Sequence, residues 1–237
     1  MLGSLADALT ELVDEAAEAV AGFAGFGSCC DACAKGRSGK IGNPDDAATG
    51  TIDVAPYAHA RSDLVKYYEI PEGEAGTKAT LEWMAKLARE AAKDPKFVQI
   101  ARSIVRDLHS KDYQGEMARL LDYVKTHVRY VLDPHELEWV QTPMHTLCVE
   151  GQGDCDDGST LLVGLALALG HGGAFVTYAA DPRRPDDWSH VAAVLAFRKK
   201  GQVWCGVADF TQPESYLGWE PPARRIFKRK IWWVEKP

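Results

Sequence analysis

The sequence predicts an α+β fold in which a series of helices precedes a β-hairpin and a further strand. Three observations predict it. Residues 77–128 place apolar side chains at helical spacing in three successive stretches. An apolar run from Leu161 to Leu169 follows Gly153-Asp154-Cys155-Asp156-Asp157 and stops at Gly170. Two stretches of strand formers, 189–197 and 202–210, flank the polar Arg198-Lys199-Lys200-Gly201, which is the pattern of a hairpin.

The elements follow in order. Residues 2–21 set Leu2, Leu5, Leu9, Leu12, Val13, Ala16 and Val20 on one stripe, with Asp7, Glu11, Asp14, Glu15 and Glu18 opposite. This is an amphipathic helix. Its acidity argues against an anionic membrane. Its own domain, a virion component or a second copy of the chain are the alternatives for what covers the stripe. Residues 22–50 lack periodicity and read as a Gly-rich arm. The expected division is 1–50 helix and arm, 51–75 linker, and 76–237 one domain. Helices are expected over 77–93 (Leu81, Met84, Ala85, Leu87, Ala88), from Pro95 (Phe97, Ile100, Ala101, Ile104, Val105, Leu108), and from about Gln114 (Met117, Leu120, Leu121, Val124, Val128). Pro95 suits a first turn. Residues 130–143 are irregular or extended and lead into the cysteine, so their polar groups are candidates for a cleft. The C-terminal stretch 224–233 is made of basic and apolar residues. It reads as a strand with a solvated basic face, or as a docking strip for an acidic partner.

Composition sets bounds. The chain has 237 residues, 46% hydrophobic and 26% charged, which is ordinary for a soluble globular protein. A net charge of −7 argues against nucleic acid as a partner. No apolar stretch reaches the roughly 18 residues of a membrane span, and no cationic segment opens a secretory signal. The six cysteines lack the spacing of a disulfide scaffold, which suits a reduced compartment such as a bacterial cytoplasm. Cys29, Cys30 and Cys33 contain a C-x-x-C without a second pair at zinc-finger spacing. Cys148, Cys205 or a neighbouring subunit would have to complete a zinc site, so no metal and no cofactor are expected.

The chemistry centres on Cys155. Asp154 is an N-cap candidate, which puts the thiol in the first turn of a helix, where free N–H groups and the dipole favour a thiolate. Asp156 and Asp157 favour the helix start but raise the thiol pKa, and the sequence leaves open which effect wins. A buried, inert cysteine is the plain alternative. A cysteine nucleophile needs a base, and the base an orienting group. The hairpin supplies both. If Phe197 faces Gln202, the paired indices sum to 399 and His190 faces Asp209, within imidazole–carboxylate reach. Cys155 then attacks a carbonyl, His190 moves the proton, and Asp209 fixes the imidazole tautomer. Gln141, with the Cys155 N–H, is a candidate for the oxyanion. Trp139 is another through its indole N–H, and an ordinary loop residue is the third reading. His135 and His145 share that segment, but with Asp154, Asp156 and Asp157 they show no recognisable metal spacing.

In these words and in this order the chain resembles the transglutaminase-like superfamily of cysteine enzymes. The carrying residues are Gly153-Asp154-Cys155-Asp156-Asp157, Ser189-His190-Val191 and Ala208-Asp209-Phe210-Thr211. More narrowly it is similar to the small transglutaminase-like proteins of bacteriophage and prophage structural-gene clusters. That likeness rests on Val128-Arg129-Tyr130-Val131-Leu132-Asp133-Pro134, Glu138-Trp139-Val140-Gln141-Thr142-Pro143 and Thr146-Leu147. It spans about residues 76–222. The resemblance implies a papain-like core with the cysteine helix packed on an antiparallel sheet. It also implies acyl-transfer chemistry on a protein or peptide substrate, more often hydrolysis than cross-linking, and a location in the virion or the host bacterial cytoplasm. Many relatives carry an aromatic residue after the histidine, where this chain has Val191-Ala192. A structural head or tail assembly protein with little or no catalysis is the alternative. An arylamine-type acyltransferase is a third option.

Overall fold

The computed structural model describes residues 70–133, 138–184, 187–222 and 225–237. The predicted helix at 2–21, the arm with Cys29, Cys30 and Cys33, the linker up to residue 69, and His135 lie outside them.

Three helices open the described chain: α1 (Glu74–Ala91), α2 (Pro95–Val105) and α3 (Tyr113–His127). Their boundaries have local causes. Asp94 accepts from the Lys96 N–H at 2.8 Å and Pro95 occupies the first turn of α2. Asp112 accepts from the Gly115 N–H at 3.1 Å and caps α3. Most of the predicted stripe is buried: Leu81, Met84, Ala88, Phe97, Ala101, Ile104, Met117, Leu120, Leu121 and Val124. Among them α1 begins three residues before the expected 77, after Gly73 in a left-handed conformation (φ 67°).

The fourth long helix, α5 (Cys155–Ala168), follows two short pieces: a helical turn α4 (Pro143–His145) and a π-helical turn at Thr146–Glu150. Every residue from Asp156 to Ala166 is buried. The run is apolar all round because it touches α1, α2 and α3 on one side and the sheet on the other.

The sheet has strands β3 (Gly172–Ala179), β4 (His190–Lys199), β5 (Gln202–Ala208) and β6 (Lys228–Glu235) in the order β5-β4-β3-β6, all antiparallel. The central strand β3 carries no clear alternation because all eight of its residues are buried. It was not anticipated from the sequence. A two-stranded parallel ladder joins β1 (Arg129–Tyr130) to β2 (Gln152–Gly153) and ties the stretch after α3 to the chain just before Cys155.

The hairpin register differs from the predicted one. Lys199 pairs with Gln202 and Phe197 with Trp204, so the constant sum is 401, not 399. The chain reverses in two residues, Lys200 (φ 51°) and Gly201 (φ 79°), the left-handed pair of a tight hairpin turn, where a four-residue loop was assumed. A slip of one residue would have parted His190 from Asp209. A slip of two keeps them on one face and makes them diagonal neighbours. The fold is thus α+β, with the cysteine helix packed on an antiparallel sheet.

Candidate active site

Asp154 caps α5 as expected: its Oδ1 accepts from the Asp156 N–H at 3.1 Å. Asp156 Oδ1 accepts from the Asp157 N–H at 2.8 Å. Cys155 is therefore the first helical residue, between two carboxylates. Its thiol lies against the Val191 backbone N–H, adjacent in sequence to His190. Burial pushes the thiol pKa well above its ordinary value, and Asp154 and Asp156 add to the rise. The Val191 N–H opposes it, and Glu138 contributes further upward. Burial and the carboxylates thus oppose a thiolate at this position.

His190 begins β4, and its Nε2 lies 2.8 Å from Asp209 Oδ2. A carboxylate only accepts, so Nε2 carries the proton in the neutral ring and Nδ1 is left as the basic nitrogen. Asp209 is almost wholly buried (1% exposed). Burial disfavours its charge, but hydrogen bonds from His190 and Thr211 outweigh that and hold its carboxyl below its ordinary value. Its Oδ1 accepts from the Thr211 N–H at 3.0 Å and the Thr211 hydroxyl at 2.7 Å. The Ser215 hydroxyl donates to the Asp209 carbonyl. Tyr178, the β3 partner of His190, stacks on its ring at 6.1 Å between centroids and 17° between planes. The Tyr178 hydroxyl donates to Glu220, which is paired with Arg229. Tyr178 was missed because its strand was missed.

The helix side of the site is acidic. Oxygens of Asp133, Asp154 and Asp157 all lie within 4.8 Å of one another. Among the described residues these donors are the group close enough to hold a hard divalent cation. Asp157 is raised to about 7, by burial first, with Asp154 and Asp133 adding to it. Asp156, 2% exposed, is raised well above its ordinary value by burial and by its contact with Asp154. Gln141 belongs to this side. Its backbone N–H donates to Asp157 Oδ1 at 2.7 Å. Its side-chain amide donates to Asp157 Oδ2 at 2.7 Å and to the Gln152 carbonyl at 3.4 Å. Its amide donors are thus engaged in pinning the 138–143 segment to α5. The Trp139 backbone N–H donates to Asp133. His145 sits on α4, paired with Glu150 at 3.3 Å, and takes no part in the acidic group.

A model of the transglutaminase-like superfamily matches residues 98–219, just over half of the chain. No curated protein matches. Among solved structures, a provisionally assigned protease from Parabacteroides distasonis is 12% identical, with a TM-score of 0.43 over 67% of this chain. This chain spans only 30% of that structure's length. A provisionally assigned cysteine protease from Cytophaga hutchinsonii is 14% identical, with a TM-score of 0.38, and covers 76% of this chain and 48% of its own. Calcium-bound LapG of Legionella pneumophila is 19% identical, with a TM-score of 0.40, and covers 65% of this chain and 87% of its own.

Proposed function

Because the chain belongs to the transglutaminase-like superfamily, we propose that it is a thiol-dependent acyl-transfer enzyme that hydrolyses a peptide or isopeptide bond through Cys155, His190 and Asp209. The observation that carries this reading is the His190–Asp209 pair at 2.8 Å, with the thiol against the backbone beside His190. The mechanism follows from the charges. Cys155 starts as a thiol. His190 Nδ1 accepts its proton as sulfur attacks the carbonyl carbon, and Asp209 steadies the imidazolium that results. The protonated ring then gives the proton to the leaving amine. Water, activated by the same nitrogen, releases the acid from the thioester. A base working on a neutral thiol suits this site, because the acidic helix side opposes a standing thiolate.

The likeness of the 128–157 words to phage and prophage proteins supports a phage-encoded or virion-associated role, acting in the virion or the host cytoplasm on a protein substrate. No helix among the described residues is long and apolar enough to cross a membrane. The raised thiol pKa favours one second reading, an assembly protein on this fold with little catalysis. Incubating the full chain with a fluorogenic peptide library separates the two. Turnover that disappears in Cys155→Ala supports the enzyme. No turnover of any peptide supports the assembly protein.

A further inference from the structure

We propose that the Tyr130 hydroxyl is the side-chain hydrogen-bond donor that stabilises the oxyanion formed when Cys155 attacks a carbonyl. The inference rests on the catalytic reading above and assigns a residue to a step that Gln141 and Trp139 were expected to serve.

The backbone places Tyr130 at the nucleophile. Tyr130 pairs with Gly153 in the β1–β2 ladder, and the Val131 N–H donates to the Gly153 carbonyl at 3.0 Å. Gly153 is two residues from Cys155. The ring is braced at the other end of the site: it meets the Phe210 ring edge-to-face, 6.1 Å between centroids at 69°. Phe210 follows Asp209 in sequence and lies on Gly158 in the first turn of α5. Tyr130 therefore spans from the cysteine side to the aspartate side. It remains 43% exposed, as a cleft wall must, and its hydroxyl has no hydrogen-bond partner among the described residues. An unpartnered donor beside a nucleophile is what a developing oxyanion needs. The amide donors of Gln141 are already taken by Asp157 and Gln152.

The local charges keep the hydroxyl protonated. Burial, then Cys155, Asp154, Asp209 and Asp156, push its pKa up to about 12. It stays an O–H donor throughout the neutral range. In the step itself, the sulfur–carbon bond forms, the carbonyl π pair moves onto oxygen, and the thiol proton goes to His190 Nδ1. The oxyanion accepts hydrogen bonds from the Tyr130 hydroxyl and the Cys155 N–H. Collapse returns the pair to carbon, expels the leaving group and leaves the Tyr130 proton where it began.

The test uses p-nitrophenyl acetate as the acyl donor and iodoacetamide as a control, on the full chain. Alkylation by iodoacetamide forms no oxyanion, so it reports on the thiol alone. Tyr130→Phe keeps the ring on Phe210 and removes only the donor. The expected result is a fall in kcat of about 100-fold, with KM and the rate of Cys155 alkylation within two-fold of the parent. Thermal melting of the variant checks that the fold persists. Parent-like kcat in Tyr130→Phe would overturn the inference and leave the catalytic reading standing. A parent protein that neither turns over the ester nor becomes acetylated at Cys155 would overturn both. Equal losses in ester turnover and alkylation would assign Tyr130 to the shape of the site and overturn its role as donor.

Discussion

The two sides of the site treat charge in opposite ways. On the sheet side, Asp209 is buried yet ionised below its ordinary pKa, because His190 and Thr211 donate to it. On the helix side, Asp156, Asp157 and the Cys155 thiol are all pushed upward by burial and by one another's neighbours. In the proposed mechanism the base is therefore set up before substrate arrives, and the nucleophile is not. The difference teaches that location at a helix start does not by itself make a thiolate. The dipole amounts to about half a charge at the helix end, and here burial and the acidic groups within one turn act against it.

The largest expected effect strikes the sheet side. His190→Ala should lower ester turnover by roughly 1,000-fold or more, since members of such a set act as a unit. A similar loss in Cys155→Ala and no further loss in the double variant would confirm the unit in steady-state assays. Additive losses would break it.

Next comes the contact that joins the two sides. A Cβ at Gly158 would fall 2.0 Å from the Phe210 ring, whereas one at Gly164 in the same helix would meet nothing closer than 3.4 Å. Gly158→Ala should destabilise by about 1–3 kcal/mol and reduce turnover, because Phe210 adjoins Asp209. Gly164→Ala should be neutral or stabilising by about 0.5–1 kcal/mol. Denaturant titration of both variants reads the contrast, and equal stabilities would contradict the packing described.

The helix side is sharpened by Asp156→Asn, which keeps the Oδ1 acceptor for the Asp157 N–H and removes a carboxyl whose ionised form raises the thiol pKa. Cys155 should then alkylate several-fold faster at pH 7.5, one pKa unit being worth about 1.4 kcal/mol. An unchanged rate would mean that burial and Asp154, not Asp156, hold the thiol pKa up.

Stability against pH gives the smallest effect, and its signs are opposite on the two sides. The Asp157 pKa is raised to about 7 in the folded state, so its protonated form favours folding. Its contribution is fully present below about pH 4, the ordinary carboxylate range, and is lost as pH rises through about 7. The Asp209 pKa is lowered, so its contribution is present above about pH 4 and lost as pH falls below that. The melting temperature should thus decline from about pH 5 to 8, and less steeply in Asp156→Asn, which relieves repulsion on Asp157. A rise over that interval would contradict the acidic side as described.

Much of this was legible in residues alone. The N-cap at Asp154, the start of α2 at Pro95 and the buried stripes of α1 to α3 follow from local rules that tertiary contacts do not overturn. The hairpin was legible in kind but not in register, because the turn length rests on two left-handed residues. The His190–Asp209 pairing survived since the error was an even number. The strand β3 was illegible: buried on both faces, it has no alternation to read, and Tyr178 went with it. Gln141 carries an amide, whose N–H groups suit an oxyanion. Its engagement with Asp157 depends on a carboxylate sixteen residues away being turned towards it, which spacing does not reveal.

The central claim is that His190 serves Cys155 as its base. Mass spectrometry with site mapping after brief exposure to p-nitrophenyl acetate tests it most directly, with exposed Cys205 as an internal reference. The account predicts that Cys155 is acetylated faster than Cys205 in the parent protein, and that His190→Ala abolishes this at Cys155 while leaving Cys205 unchanged. Acetylation of Cys155 that is no faster than that of Cys205, and indifferent to His190, would contradict it.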